Sequence, residues 1–140
     1  LRQGLPDYDI VIDATDQLEN KFLINDVCVS AEKPFVHGGI TGFSGQVMTY
    51  VPEKGPCYRC IFGEVPEDNA PAPIPVIGVT AGIIGTIQAA EAIRYLLGIP
   101  SLLTGKLLVL DGLRMQFRTV PFPHVSEHCP LHTRKGVTDL

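Results

Sequence analysis

One stretch decides the fold: residues 8–33 read YDIVIDATDQLENKFLINDVCVSAEK. Its first seven residues form an apolar, β-branched run that ends among acidic residues, which is typical of a strand buried in a parallel sheet. Apolar residues then recur at helical spacing until Lys33 and Pro34, and Thr15 or Asp16 is the expected N-cap. The pattern predicts a strand, an acidic turn and an amphipathic helix.

The other apolar segments predict a mixed sheet with helices, an α/β domain. We expect two further strands, a long helix with glycines on one face and a hairpin that turns at Asp111-Gly112. These elements are predicted at residues 34–40, 46–51, 76–97, and 106–110 with 115–122. We expect a mobile loop at 63–75, because that segment holds four prolines and three acidic residues, and a ligand-bearing tail at 123–140.

Composition excludes several classes of function. The 140 residues are 45% hydrophobic with a mean hydropathy of +0.20, which suits one folded domain over 1–140. The net charge is −4 and no segment concentrates basic residues, so we expect no nucleic-acid partner. Residues 70–90 are uncharged, but their early prolines leave too short an apolar run for a membrane span. No secretory leader is present, so a cytoplasmic location is expected.

The cysteines predict a metal site. Cys57 and Cys60 form a Cys-x-x-Cys pair, which suits either a redox pair or half of a zinc site. We favour zinc, because redox pairs begin a helix after a strand and we expect no helix there. Cys129 and His132 repeat the two-residue gap and complete a Cys3His set for structural zinc. His128 competes with His132 as the fourth ligand, and the alternative is that the cysteines are simply reduced thiols.

The acidic turn between the first strand and helix is a second candidate site. Asp13 and Asp16 flank the carboxyl end of the predicted strand, where open α/β sheets bind ligands. Carboxylates at such a position can hold Mg²⁺ together with phosphate oxygens. The alternative is that these residues only cap the helix and brace the turn.

Four segments resemble the ThiF/MoeB/HesA family, the adenylyltransferases related to ubiquitin-activating enzymes. They are YDIVIDATDQLENKFLINDVC (8–28), PFVHGGITGFSGQVMTYVPEKGPCYRC (34–60), VIGVTAGIIGTIQAAEAIRYLLG (76–98) and HCPLH (128–132). The resemblance implies a Rossmann-like fold and an enzyme that uses ATP and Mg²⁺. Such an enzyme adenylates the carboxy-terminal glycine of a ubiquitin-like sulfur-carrier protein in thiamin- or molybdopterin-type sulfur transfer. It also implies a homodimer that pairs through the long helix.

The resemblance assigns site residues one by one. Asp16 matches the aspartate that serves Mg-ATP in the family's D-x-T-D motif. Lys21 stands where the family usually has arginine and is assigned to the same nucleotide site. Three zinc-ligand positions fall on cysteine and the fourth on histidine, namely Cys57, Cys60, Cys129 and His132.

Two departures from the family limit the expected activity. The loop over 63–75 has no cysteine for a covalent link to the carrier, and no G-x-G-x-x-G phosphate loop precedes a helix in the given chain. We therefore expect a fragment of a longer protein that holds only the carboxy-terminal half of a ThiF-type domain and is inactive without the ATP-binding half. The alternative function is a non-catalytic, zinc-stabilised module that binds a carrier protein or dimerises.

Overall fold

A five-stranded mixed sheet forms the centre of the molecule. The structure, a computed structural model, describes residues 4–66 and 73–132. The strands lie in the order β1-β2-β3-β4-β5, with β1 and β2 parallel and the other neighbours antiparallel. The elements are a 3-10 turn at Leu5–Asp7, β1 Val11–Asp13, α1 Leu18–Ser30, β2 Phe35–Thr41, β3 Ser44–Tyr50, α2 Tyr58–Phe62, α3 Gly78–Leu96, β4 Lys106–Asp111 and β5 Gln116–Pro121. The predicted α/β class with a mixed sheet is confirmed.

Each face of the sheet carries its own apolar cluster. Successive residues of a strand point to opposite faces, and Phe35 of β2 belongs to the cluster beneath α1 and α2 while Val36 belongs to the one beneath α3. Cys28 of α1 is fully buried in the first cluster. The sheet is therefore covered by α1 and α2 on one side and by α3 on the other.

Helix α3 approaches the sheet closely at two glycines. A Cβ on Gly38 would overlap the amide of Gln88, and a Cβ on Gly45 would overlap the side chain of Ile84. The Gln88 amide uses this space to donate to the carbonyl oxygens of Asp13 at 2.7 Å and Val36 at 3.2 Å. Helix α3 is thus fixed over the end of β1 and the first half of β2. Gly42, in the turn between β2 and β3, has a positive φ of 56°.

Local hydrogen bonds overturn two details of the prediction. Gln17 is the N-cap of α1 and makes no side-chain cap bond. The candidate Thr15 instead donates its hydroxyl to Asp13 Oδ1 at 2.7 Å, which removes it from capping. The predicted hairpin forms, but its loop spans 112–115, because Asp111 pairs with Gln116. The Asp111 carboxylate also accepts from two amides of that loop, which favours the longer connection.

The Cys-x-x-Cys pair begins a helix, contrary to expectation. Cys57 is the N-cap of α2, and the Cys60 amide donates to the Cys57 carbonyl oxygen at 3.0 Å. The side chain of Asn25 accepts from the Tyr58 amide at 2.8 Å and so satisfies an N–H group at the start of this helix. The position of the pair therefore does not distinguish a zinc site from a redox pair. The placement of Cys129 and His132 has to decide between them.

Strand β1 and helix α3 both expose apolar side chains. Strand β1 is an edge of the sheet, and its Ile12 is 46% exposed. The outer side of α3 presents Val79, Ile93 and Leu97 to solvent. The described helices include none that is both long and apolar enough to cross a membrane. Residues 67–72 of the predicted mobile loop and residues 133–140 of the predicted tail lie outside the described residues.

Candidate functional site

A buried charged cluster lies at the carboxyl end of β1. Asp13, at 1% exposure, accepts from Lys21 Nζ at 3.3 Å and pairs with His37 Nδ1 at 3.0 Å. Its other oxygen accepts from the amide and hydroxyl of Thr15. Lys21 Nζ also donates to the Gly38 carbonyl oxygen at 2.7 Å. The cluster joins β1, α1 and β2 at one edge of the sheet.

The charges within this cluster are mutually stabilising. Burial raises the pKa of Asp13, but hydrogen bonds from His37 and Thr15 and the charge of Lys21 outweigh it and lower that pKa to about 2. Burial lowers the pKa of Lys21, and Asp13 opposes the shift. Burial also lowers the pKa of His37. The cluster is therefore an Asp13–Lys21 ion pair beside a neutral imidazole.

Thr15 and Lys21 of this cluster line a broad cleft of about 1220 Å³. Asp16 is exposed at the start of α1, and both it and Lys21 line the cleft. The structure thus brings the two predicted nucleotide-site residues to one cleft. The Lys21 ammonium is held by Asp13 and Gly38, whereas the Asp16 carboxylate faces solvent.

The four predicted zinc ligands form a second group, on the side of the sheet covered by α1. Their ligand atoms all lie within 4.8 Å of one another. Cys57 Sγ is 3.7 Å from both Cys60 Sγ and Cys129 Sγ. A tetrahedral ion with Zn–S bonds of about 2.3 Å places its sulfurs about 3.8 Å apart. The spacing fits a bound metal, and all four cysteines of the chain are reduced thiols.

The histidine of this group has an unused ring nitrogen. His132 Nε2 is buried and lacks a hydrogen-bond partner in the described parts of the chain. A buried nitrogen of this kind is costly unless something binds it, and a metal ion would do so. The competing His128 is exposed and is not a member of the group. The Cys57 thiol lowers the pKa of Cys60 to about 5 by hydrogen bonding, which supplies a ready thiolate.

Helix α1 holds the metal-binding segment in place. Arg59 forms two hydrogen bonds to the Asp26 carboxylate, at 2.6 and 2.8 Å. Its guanidinium also lies 4.8 Å from the centre of the Phe22 ring. Together with the Asn25–Tyr58 contact, these bonds tie α2 to the middle of α1.

Three residues that were not predicted as site residues connect the two sites, namely His37, Gln46 and Tyr58. The Tyr58 ring lies 4.6 Å from the His37 ring and also lines the cleft. Gln46 Nε2 lies 3.3 Å from His37 Nε2. The polar His37 inside an otherwise apolar strand, PFVHGG, is the one signal that could have drawn attention to this region.

Comparison with known proteins places the chain in a family. The model of the ThiF family matches residues 1–131. The chain is 43% identical over 138 residues to the SAMP-activating enzyme E1 of Haloferax volcanii. It is 40% identical over 119 residues to the adenylyltransferase and sulfurtransferase MOCS3 of Culex quinquefasciatus. These alignments cover 94% and 83% of this chain but 49% and 27% of the relatives, so it spans half their length or less.

Solved structures agree on the fold. E. coli MccB with ATP superposes with a TM-score of 0.73 at 19% identity, covering 94% of this chain and 42% of MccB. MccB in complex with N-formylated MccA gives 0.74 at 18% identity, covering 94% of this chain and 44% of MccB. Because the family model matches almost the whole sequence, the chain belongs to the ThiF family.

Proposed function

We propose that this chain is the carboxy-terminal half of an ATP-dependent adenylyltransferase that activates the carboxy-terminal glycine of a ubiquitin-like sulfur-carrier protein. The observation that carries the proposal is the cleft at the ends of β1 and β2, where Asp16 is exposed beside the buried Asp13–Lys21 pair. The names of the Haloferax and Culex relatives support this activity class. We expect neither nucleic acid nor a membrane among the partners of this enzyme.

The reaction is a group transfer at phosphorus. A carboxylate oxygen of the terminal glycine attacks the α-phosphorus of ATP, and an acyl–phosphate C–O–P linkage forms. The bond from the α-phosphorus to its bridging oxygen breaks, and pyrophosphate leaves with that electron pair. A divalent cation such as Mg²⁺ would supply charge stabilisation to the phosphates.

The residues of this chain have distinct roles in that step. Asp16 offers an exposed carboxylate at the cleft for the cation. Asp13 accepts three hydrogen bonds from Thr15 and Lys21 and so braces the turn that presents Asp16. Lys21 is assigned to nucleotide binding by its place in the motif. Because its ammonium is already bound to Asp13, its role is to balance the negative charge of that carboxylate beneath the cleft.

A nucleotide-binding segment has to complete this site. The curated relatives are at least twice as long as the part matched here. Strand β1 is parallel to β2 and leaves its other edge and Ile12 exposed, which suits further parallel strands. We propose that a segment with a phosphate-binding loop lies on this edge, and that the chain alone is inactive.

We also propose structural zinc at the Cys3His group and a homodimer that pairs through α3. The sulfur spacing and the unused nitrogen of His132 support the metal. Exposed Val79, Ile93 and Leu97 on α3 support the pairing. Light scattering on the assembled protein that gives the mass of one copy at high concentration would contradict the dimer.

Carrier-dependent exchange of pyrophosphate into ATP tests the activity. We expect exchange when the chain is joined to its nucleotide-binding half and a Gly-Gly carrier is added, and none with the 140 residues alone. Asp16→Ala should abolish exchange while leaving the fold intact, and Asp9→Ala, at an exposed aspartate outside the cleft, should not. Carrier binding without exchange would favour the non-catalytic binding module. Exchange by the isolated chain would refute the need for a second half.

A further inference from the structure

We propose that Gln46 and Tyr58 bind the backbone of the carrier's carboxy-terminal tail, and that His37 orients Gln46 for this role. The inference rests on the proposed function, because it names how that substrate is recognised. Both residues line the cleft and both contact the His37 ring. Together they place a neutral acceptor and a neutral donor at one wall of the cleft.

The orientation of the Gln46 amide follows from the Asp13–His37 pair. Because the Asp13 carboxylate only accepts, His37 Nδ1 must carry the proton that joins them at 3.0 Å. In the neutral ring, Nε2 is then an acceptor. Gln46 Nε2 lies 3.3 Å away and must donate to it. The amide oxygen of Gln46 is therefore turned away from His37.

That oxygen is available to a ligand. Gln46 is half-buried, and Oε1 accepts no hydrogen bond from residues 4–66 or 73–132. Opposite Gln46 on β2 lies Gly39, where a Cβ would stand 3.4 Å from both Gln46 Nε2 and His37 Nε2. Gly39 therefore lies in van der Waals range of the point where the Gln46 amide meets the imidazole.

The hydroxyl of Tyr58 supplies the complementary donor. Only 3% of this residue is exposed, and its ring packs between those of His37 and Phe62, at 4.6 and 4.4 Å. Within the described chain the hydroxyl has no hydrogen-bond partner, although the residue lines the cleft. A phenol hydroxyl carries a proton at neutral pH, so it can donate to a ligand in the cleft. A hydroxyl donor that has no protein partner at the cleft can donate to a substrate that accepts from it.

A peptide group matches this pair better than a phosphate does. Each peptide group offers an N–H for Gln46 Oε1 and a carbonyl oxygen for the Tyr58 hydroxyl, whereas phosphate oxygens only accept. A phosphate would thus leave Gln46 Oε1 facing another acceptor. The ribose hydroxyls of the nucleotide are the competing ligand, because they both donate and accept.

Steady-state exchange kinetics on the assembled enzyme separate the two ligands. Gln46→Met and Tyr58→Phe should each raise the KM for the carrier about tenfold, the effect of one lost hydrogen bond, and leave the KM for ATP within about twofold. The matched controls Gln116→Met and Tyr95→Phe, at residues that do not line the cleft, should change neither value. A larger rise in the KM for ATP would assign the pair to the nucleotide and overturn the proposal.

Two further outcomes are decisive. The ¹⁵N resonances of His37 should report a proton on Nδ1, and a proton on Nε2 would overturn the orientation of Gln46. Unchanged carrier KM in both variants of an active enzyme would refute this proposal alone. If the unsubstituted enzyme shows no carrier-dependent exchange, the proposed function fails and this proposal fails with it.

Discussion

The metal site makes the sharpest prediction about stability. A metal held by the Cys3His group joins α2 to the tail and closes a loop of about 70 residues between Cys60 and Cys129. Cross-linking a loop of that length lowers the conformational entropy of the unfolded chain. This raises the free energy of the unfolded state by about 4 kcal/mol at 25 °C. We therefore expect Cys129→Ser, which is nearly isosteric, to lose the metal and about 4 kcal/mol of unfolding free energy.

Two measurements on the same samples test this expectation. Elemental analysis should find one zinc per chain in the unsubstituted protein and none after Cys129→Ser. Denaturant unfolding with and without a strong chelator gives the free energies. The chelator should destabilise the unsubstituted protein about as much as the substitution does, and should have no further effect on the variant.

The choice between the two histidines is tested in the same way. His132→Ala should behave like Cys129→Ser, because His132 Nε2 lies within the group. His128→Ala should keep the metal and full stability, because His128 is exposed. The reasoning is refuted if Cys129→Ser retains one zinc per chain, or if chelation changes the unfolding free energy by less than about 1 kcal/mol.

Three further substitutions probe the supports of the cleft. Because the pKa of Asp13 is lowered to about 2, its contribution to stability is complete above pH 4 and is lost as the pH falls through 2. Denaturant unfolding across that window should show a loss of about 2 kcal/mol that Asp13→Asn lacks, and parallel pH curves would contradict it. Gly38→Ala should cost about 2 to 4 kcal/mol because it displaces the Gln88 amide, and the cost should shrink in a Gln88→Ala background if the contact is the cause. Arg59→Lys should cost about 1 kcal/mol through loss of the two-point contact with Asp26 while zinc content stays the same, and an unchanged thermal midpoint would count against that contact.

The elements that could be predicted are those set by local sequence. Apolar spacing places α1 to within a few residues, and a short apolar run places β2, which is buried on both faces of the sheet. The metal ligands could also be predicted from the sequence. Two pairs of ligand residues, each separated by two residues, and the chemistry of thiolates identify them before any packing is known. The predicted N-cap of α1 is wrong because of contacts beyond the local sequence. Lys21 and His37 hold Asp13 in place, and Asp13 accepts the hydrogen bond of the Thr15 hydroxyl.

The wall formed by Gln46 and Tyr58 could not have been predicted in the same way. Gln46 meets His37 only through the pairing of β2 with β3, and Tyr58 reaches it only after α2 has folded against α1. Neither residue has a sequence neighbour that signals this contact. Contacts of this kind depend on register and packing, which a single sequence specifies only through the whole fold.

The Cys3His group and the cleft are linked through α1 and α2. A metal bound by this group could therefore affect the cleft through these two helices. A zinc ion bound by all four side chains would have no position open for substrate and would take no part in the chemistry. Its influence would be positional. Cys57 and Tyr58 are adjacent, so a metal that fixes the thiolate also fixes the ring that packs on His37. On α1, Lys21 serves the cleft and Asn25, one turn later, holds the start of α2. Zinc at this site would therefore act on the carrier-binding wall through two rigid connections, and not through its charge.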